Sequence, residues 1–362
     1  MKRYFYYLVL VHMLINGIGH TPRQLIENRF HGSVMAIFIA PFIGLLTMYI
    51  FSTSLSKFPN QGLPEILKGS LPKWIVSTLL IFFSCNWLMA SLDRLISFSY
   101  IIKRFVNPDM SLFILQIGII LVVSFGALLK TEKILFLLEM LLVINVLFII
   151  FIFFKAYTNP VLSWGDIFAA GTYVNVIPNS NSFSASIYIF SGYVNMVIFN
   201  RVVSEVLTWK KSIFLGIIGF ANLCTILLIP IGFHGIDVVD DYTYPWITTA
   251  DSMRMEFGFI ERVVFLYLFI YISISLGNVI LLWHITIELL KGVVKTPLND
   301  EKRQAKLSIL LVILFGILTI SFGHYVDEMR LYNINMHWIN MRMISEYLLV
   351  FIVFFIARRK KT

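Results

Sequence analysis

Residues 4–30 read YFYYLVLVHMLINGIGHTPRQLIENRF, and the reading of this stretch decides the fold. It begins as an apolar run of the kind that crosses hydrocarbon as a helix. Asn16-Gly17-Ile18-Gly19-His20 then interrupts the run with two flexible residues and three polar-capable neighbours. Thr21-Pro22-Arg23-Gln24 follows as a helix start, with Thr21 as cap, Pro22 at the first helical position and Gln24 closing a Thr-x-x-Gln box. One reading is a membrane helix that unwinds and restarts. The other is a helix whose glycines permit close packing, followed by a second helix outside the membrane.

The rest of the chain supplies the context. Of its 362 residues 58% are hydrophobic and 14% charged, with 33 phenylalanines, too little charge to cover a soluble domain. Apolar segments recur at 33–56, 74–102, 111–129, 133–155, 183–206, 212–233, 259–290, 307–323 and 338–357. With the interrupted 4–30 they make about ten transmembrane helices in one all-α polytopic membrane domain, 1–362. The short alternating strands of a membrane β-barrel are missing. The start lacks a small-residue cleavage site after its apolar run, so the first span is expected to be retained.

A net charge of +9 invites a nucleic-acid reading, but the basic residues sit in short clusters between apolar runs, which is how topology is encoded. Assigning loops to alternate sides places 19 of the 29 Lys and Arg residues on one side, nine on the other and Arg94 within a span. The richer side is expected to be cytoplasmic and to hold both termini. Cys85 and Cys224 lie inside apolar segments and offer neither a disulfide framework nor metal-ligand spacing. No phosphate loop, nucleophile elbow, paired-carboxylate site or zinc pattern occurs, so no enzyme activity, cofactor or metal is expected.

A second interruption, Ser191-Gly192-Tyr193-Val194-Asn195, opens the sixth segment about 175 residues after the first. Five spans per half would set the halves in opposite orientations: 1–155, an outer connection over 156–182, and 183–362. That is the layout of inverted-repeat transporters, whose broken first helices frame a midplane site. Unwound backbone is tolerated at that depth only where it is buried or lines a cavity. The paired breaks therefore favour a binding site over a packing defect.

Other polar residues are weighed against plain structural roles. Glu139 lies about 9 Å into the fifth span, where a charge costs about 2.5–3.5 kcal/mol on insertion scales. It is expected to be paired, protonated or facing a cavity; a helix-to-helix bond and a coupling role are both open. Arg342 and Glu346 share a helical face and are expected to neutralise each other. Asp93 and Arg94 are expected near the outer interface, with snorkelling as the ordinary reading. Asn86, Trp87 and Met89 in the third segment could line a pocket, as could Ser273, Ser275 and Asn278 in the eighth. His284 and Glu288 share a face as a structural pair. The acidic, aromatic loop 234–262 (Asp237, Asp240, Asp241, Asp251, Glu256, Glu261) reads as a solvated connection or as a gate or docking surface.

With these residues in view, the chain resembles the B subunit of the endospore nutrient-germinant receptors. These are spore germination permeases of the amino-acid/polyamine/organocation superfamily. The resemblance spans nearly the whole chain. It rests on the interrupted first helix with Thr21-Pro22-Arg23-Gln24, on Phe58-Pro59-Asn60-Gln61-Gly62-Leu63-Pro64-Glu65-Ile66, on Asp93-Arg94-Leu95-Ile96-Ser97-Phe98, and on Gly126-Ala127 through Glu139. It implies a LeuT-like fold of two inverted five-helix repeats and a small germinant, an amino acid or nucleoside, held between helices one, three, six and eight. It also implies assembly with an A-type membrane subunit and a C-type lipoprotein in the spore inner membrane. By position, the contacts would be Asn16, Gly17, Ile18, Gly19, His20, Thr21, Asn86, Met89, Ser191, Gly192, Tyr193, Asn195 and Asn278. Two departures bear on the inner gate and the ligand. Phe199-Asn200-Arg201-Val202 stands where a proline is expected, and His20 where a small apolar residue is commoner. The alternatives are a proton-coupled amino-acid transporter of the same fold and a non-binding scaffold subunit.

Overall fold

The computed structural model describes residues 3–203, 207–254, 261–294 and 300–360. Glu256 of the acidic loop, and Lys2, Lys295 and Lys361 of the charge count, lie outside the described residues. Among the described residues the only strand-like feature is a single bridge between Arg254 and Arg262. The rest is helix and connection, as the composition requires of a chain that must satisfy its backbone within lipid.

The first segment is two helices, α1 (Tyr4–Asn16) and α2 (His20–Glu27), separated at Gly17-Ile18-Gly19. α2 begins two residues earlier than expected and Gly19 is its cap, with no side-chain cap bond. Thr21 therefore lies inside the first turn, and the Thr-x-x-Gln box does not form. Both halves are buried, so the second helix is not a surface appendage.

A wide turn over Arg29–Ser33 leads into α3 (Val34–Leu55). Gly32 makes that turn at φ +87°, where a Cβ would overlap Ile177 and Pro178. The short α4 (Leu63–Lys68) precedes α5 (Lys73–Phe105), which at 33 residues is about 50 Å long and must tilt to fit a bilayer. Next come α6 (Leu112–Ala127), α7 (Thr131–Tyr157) and the short α8 (Trp164–Gly171).

The sixth segment is broken as expected. α9 (Ser180–Tyr188) gives way to a tight turn at Ser191–Asn195 and then α10 (Met196–Phe199), with a 60° bend between the parts. The second half continues with α11 (Trp209–His234), α12 (Pro245–Ser252), α13 (Val263–Val293), α14 (Glu301–Tyr325) and α15 (Glu328–Arg359). The last helix starts ten residues before the apolar segment at 338, because Asp327 caps it by accepting from the Arg330 N–H. Among the described residues, seven helices are long and apolar enough to cross a membrane alone, or eight with the bent pair as one span. The other two expected spans correspond to α1 with α2 and to α6, whose apolar helices reach only 13 and 16 residues.

α13 runs through the centre, packed against α5, α6, α7 and α14. The most apolar stretches of α7 and α14 are only 28% buried within the bundle, against 72% for α13, so the first two lie at its rim. Lipid supplies no hydrophobic drive between helices, so close packing and interhelical hydrogen bonds hold this bundle. Those bonds gather the connections onto two faces. On one, Arg201 meets Glu65 and Glu288, and Lys57 meets Ala357. On the other, Arg29 meets Asp240 and Arg104 meets Glu328.

Candidate functional site

At the break in the first segment the backbone N–H groups of Gly17, Ile18 and Gly19 reach back to Met13 O and Ile15 O, and three side chains add further bonds to the last turn of α1. Asn222 of α11 donates to Met13 O at 3.0 Å, and Asn16 donates back to His12 O at 2.8 Å. Arg94 of α5 donates to Ile15 O at 3.2 Å and to Asn16 Oδ1 at 2.6 Å. A cation at the C-terminal end of a helix also meets the negative end of its dipole. Its head lies against Gly19, where any side chain would overlap the guanidinium. The neighbouring Asp93 points to the other half of the break. Its Oδ1 is 3.3 Å from Nε2 of His20, the first residue of α2, and that nitrogen also meets Ser97 Oγ at 2.8 Å. Asp93 and Arg94 are both buried, not snorkelling at an interface. One dipeptide on α5 thus serves both ends of the broken span.

The second break lies against the first. A Cβ on Gly192 would sit 2.7 Å from His12 Cβ and from Val9 Cα, so only glycine lets the Ser191–Asn195 turn approach α1 this closely. Between the breaks, α5 and α15 is a cavity of about 20 Å³, room for about one water. Its lining includes His12, Asn86, Trp87, Tyr188, Asn195, Arg342, Ser345 and Glu346, with Phe83, Ala90, Val194, Leu282 and Leu349 as apolar wall.

The polar side chains bond to one another across helices. Trp87 Nε1 donates to Asn195 Oδ1 at 3.0 Å, and Ser345 Oγ to Asn86 Oδ1 at 3.2 Å. His12 Nε2 lies 2.9 Å from Tyr188 O. The expected Arg342–Glu346 pair forms at 2.8 Å, and Glu346 Oε2 also accepts from Ser191 Oγ at 2.5 Å. Arg342 lies over the Tyr188 ring, 4.5 Å from its centroid, and Trp338 meets the same ring edge-on.

Two further polar layers pack near the breaks. On the α12 side, His20 stacks on Tyr244, and Arg23 lies 4.2 Å from the centroid of the Tyr332 ring. Tyr332 donates to Glu27. Burial, reinforced by the nearby Glu328 carboxylate, holds the Tyr244 hydroxyl well above the usual tyrosine range, so it stays a neutral phenol. On the opposite side, Asn200 donates to Phe58 O and Gln61 O at 2.8 and 2.7 Å. Arg201 bridges Glu65 and Glu288 at 2.8 and 2.5 Å. The residues standing in place of the expected proline thus fasten the Phe58–Ile66 stretch beneath the second break.

The sequence-predicted residues divide accordingly. Asn86, Ser191 and Asn195 meet at the cavity or its wall, with Gly192 closing its contact with α1. Asn16 and Gly19 are bound up with Arg94, while Gly17 and Ile18 face a separate, mainly apolar cavity of about 30 Å³ beside Asn222, Trp246 and Tyr267. His20 turns toward Tyr244, Thr21 is buried within α2, and Tyr193 packs edge-on against Phe51. Met89 and Asn278 are not among the residues that line the cavity between the breaks. Glu139 is paired with Arg3 at 2.7 Å, at the far end of α1. His284 binds Ala127 O and Thr131 instead of Glu288. Sequence reading missed His12, Tyr188, Ser345 and the inward role of Arg94. His12 was within reach, four residues before Asn16 and so on the same helical face.

A profile of the spore permease family, described as spore germination protein, matches residues 2–328. No curated protein matches the chain at a significant level.

Proposed function

Since this chain belongs to the spore germination protein family of membrane permeases, we propose that it is the B-type membrane subunit of a spore germinant receptor. In this reading it binds a small nutrient, an amino acid or nucleoside, at mid-membrane and helps trigger germination. Its ten spans form two inverted five-helix repeats, 1–155 and 183–362, joined by 156–182. The termini and the Arg201 face are cytoplasmic, the membrane is the spore inner membrane, and the A-type subunit and C-type lipoprotein are its partners.

The observation that carries this reading is the small cavity between the two broken segments, lined by polar side chains that include a charged pair. Buried charge is expensive in a membrane protein and marks a ligand or ion path more often than it marks stability. A volume of about 20 Å³ holds no nutrient, so binding must open the site, and that movement is the natural signal to the partner subunits.

Gly192→Leu tests the reading. Its side chain would drive the second break away from α1, so spores carrying a normally abundant variant should need a higher nutrient concentration to germinate. An unchanged dose-response would leave the scaffold reading standing. The His20–Asp93 contact at 3.3 Å favours one second reading, a proton-coupled amino-acid transporter. Accumulation of a labelled amino acid by vesicles holding the chain alone would select it.

A further inference from the structure

Asp93, Arg94, Arg342 and Glu346 bring charged side chains to the breaks, and two of them are already committed. Arg94 caps the carbonyl end of α1, and Asp93 lies against His20. The other two, Arg342 and Glu346, line the cavity itself and are 11% and 4% exposed. They are one turn apart on α15, and the carboxylate is also tied to the second break through Ser191 Oγ.

We propose that Arg342 and Glu346 read the two charges of a zwitterionic ligand by exchange. The ligand's carboxylate takes the Arg342 guanidinium, and its ammonium takes the Glu346 carboxylate. An α-amino acid carries both groups on one carbon, a spacing suited to a pair now in direct contact. The exchange leaves the site's net charge unchanged, whereas a ligand bearing one charge would leave a buried partner uncompensated. The apolar wall of Phe83, Val194, Leu282 and Leu349 then receives an apolar side chain. Turning Glu346 toward the ammonium draws it from Ser191, which frees the second break from α15. This pair is therefore both the specificity determinant and the link from occupancy to movement. The inference rests on the nutrient-binding reading above and selects the amino acid over the nucleoside.

The test is a germination dose-response in spores carrying the whole receptor. The probes are L-alanine, L-valine and L-leucine, the methyl ester and N-acetyl form of each, and inosine as an uncharged nutrient. The backgrounds are wild type, deletion of the chain, R342Q, R342K, E346Q and E346D, matched for chain abundance by immunoblot. At least one free amino acid should trigger chain-dependent germination, with its blocked forms needing about tenfold to a hundredfold more. R342Q should raise the requirement for the free amino acid by a similar factor and erase its advantage over the methyl ester. E346Q should erase the advantage over the N-acetyl form, and R342K and E346D should restore part of each preference. Chain-dependent germination by inosine and by no amino acid would overturn the proposal while leaving the receptor reading intact. So would R342Q and E346Q variants that keep the wild-type preference for the free form, or R342K and E346D variants, present at normal abundance, that restore none of it. Deletion spores that respond to every probe as wild type does would overturn the receptor reading and the proposal together.

Discussion

Replacing Arg94 by methionine keeps the length of the side chain and removes its charge and fork. Ile15 O and Asn16 Oδ1 would then lose donors now at 3.2 and 2.6 Å, at a break where water is scarce. Each charge-assisted bond contributes about 1.5–3 kcal/mol, and Asp93 would lose the cation beside it. Removing one partner from a buried ionic cluster costs about 3–5 kcal/mol. For a chain of 362 residues, entropy scaling converts that to a drop of about 4–7 °C in the unfolding midpoint. The assay is thermal unfolding of the full chain in lipid nanodiscs, beside Arg94→Lys, which keeps the charge without the planar fork and should fall between. An Arg94→Met midpoint within about 1 °C of wild type would refute the assignment of Arg94 as the cap of the broken helix.

Two further outcomes follow from the geometry. Gly32→Ala places a Cβ at φ +87° against Ile177 and Pro178, so it should cost at least about 1–2 kcal/mol and lower the folded yield on size-exclusion chromatography. Asn200→Ala removes both donors to Phe58 O and Gln61 O. It should destabilise by about 1–3 kcal/mol, and a cysteine placed at Val197 should label faster from the Arg201 face.

The helical membrane class and both breaks were legible because apolar length, and glycine among polar residues within an apolar run, are local signals. Where α2 begins was not, because its cap is backbone at Gly19 and no side chain marks it. Arg94 was misplaced for a different reason. Counting along α5 gives depth, not azimuth, and only the packed bundle turns this residue onto α1. The Arg342–Glu346 pair was readable from its four-residue spacing, but its bond to Ser191 joins positions 155 residues apart, beyond any local pattern. Asn200 and Arg201 looked like a departure from the family and act as fasteners of Phe58–Ile66, a role that exists only once α4, α10 and α13 meet.

The central claim is that nutrient occupies the space between the two broken segments. The most direct measurement is a cryo-electron microscopy structure of the assembled receptor with the nutrient to which its spores respond. The account predicts ligand density bounded by His12, Asn86, Asn195 and Arg342, with the Glu346–Ser191 contact lengthened from 2.5 Å. Density confined to another subunit, with this cavity unchanged, would contradict it.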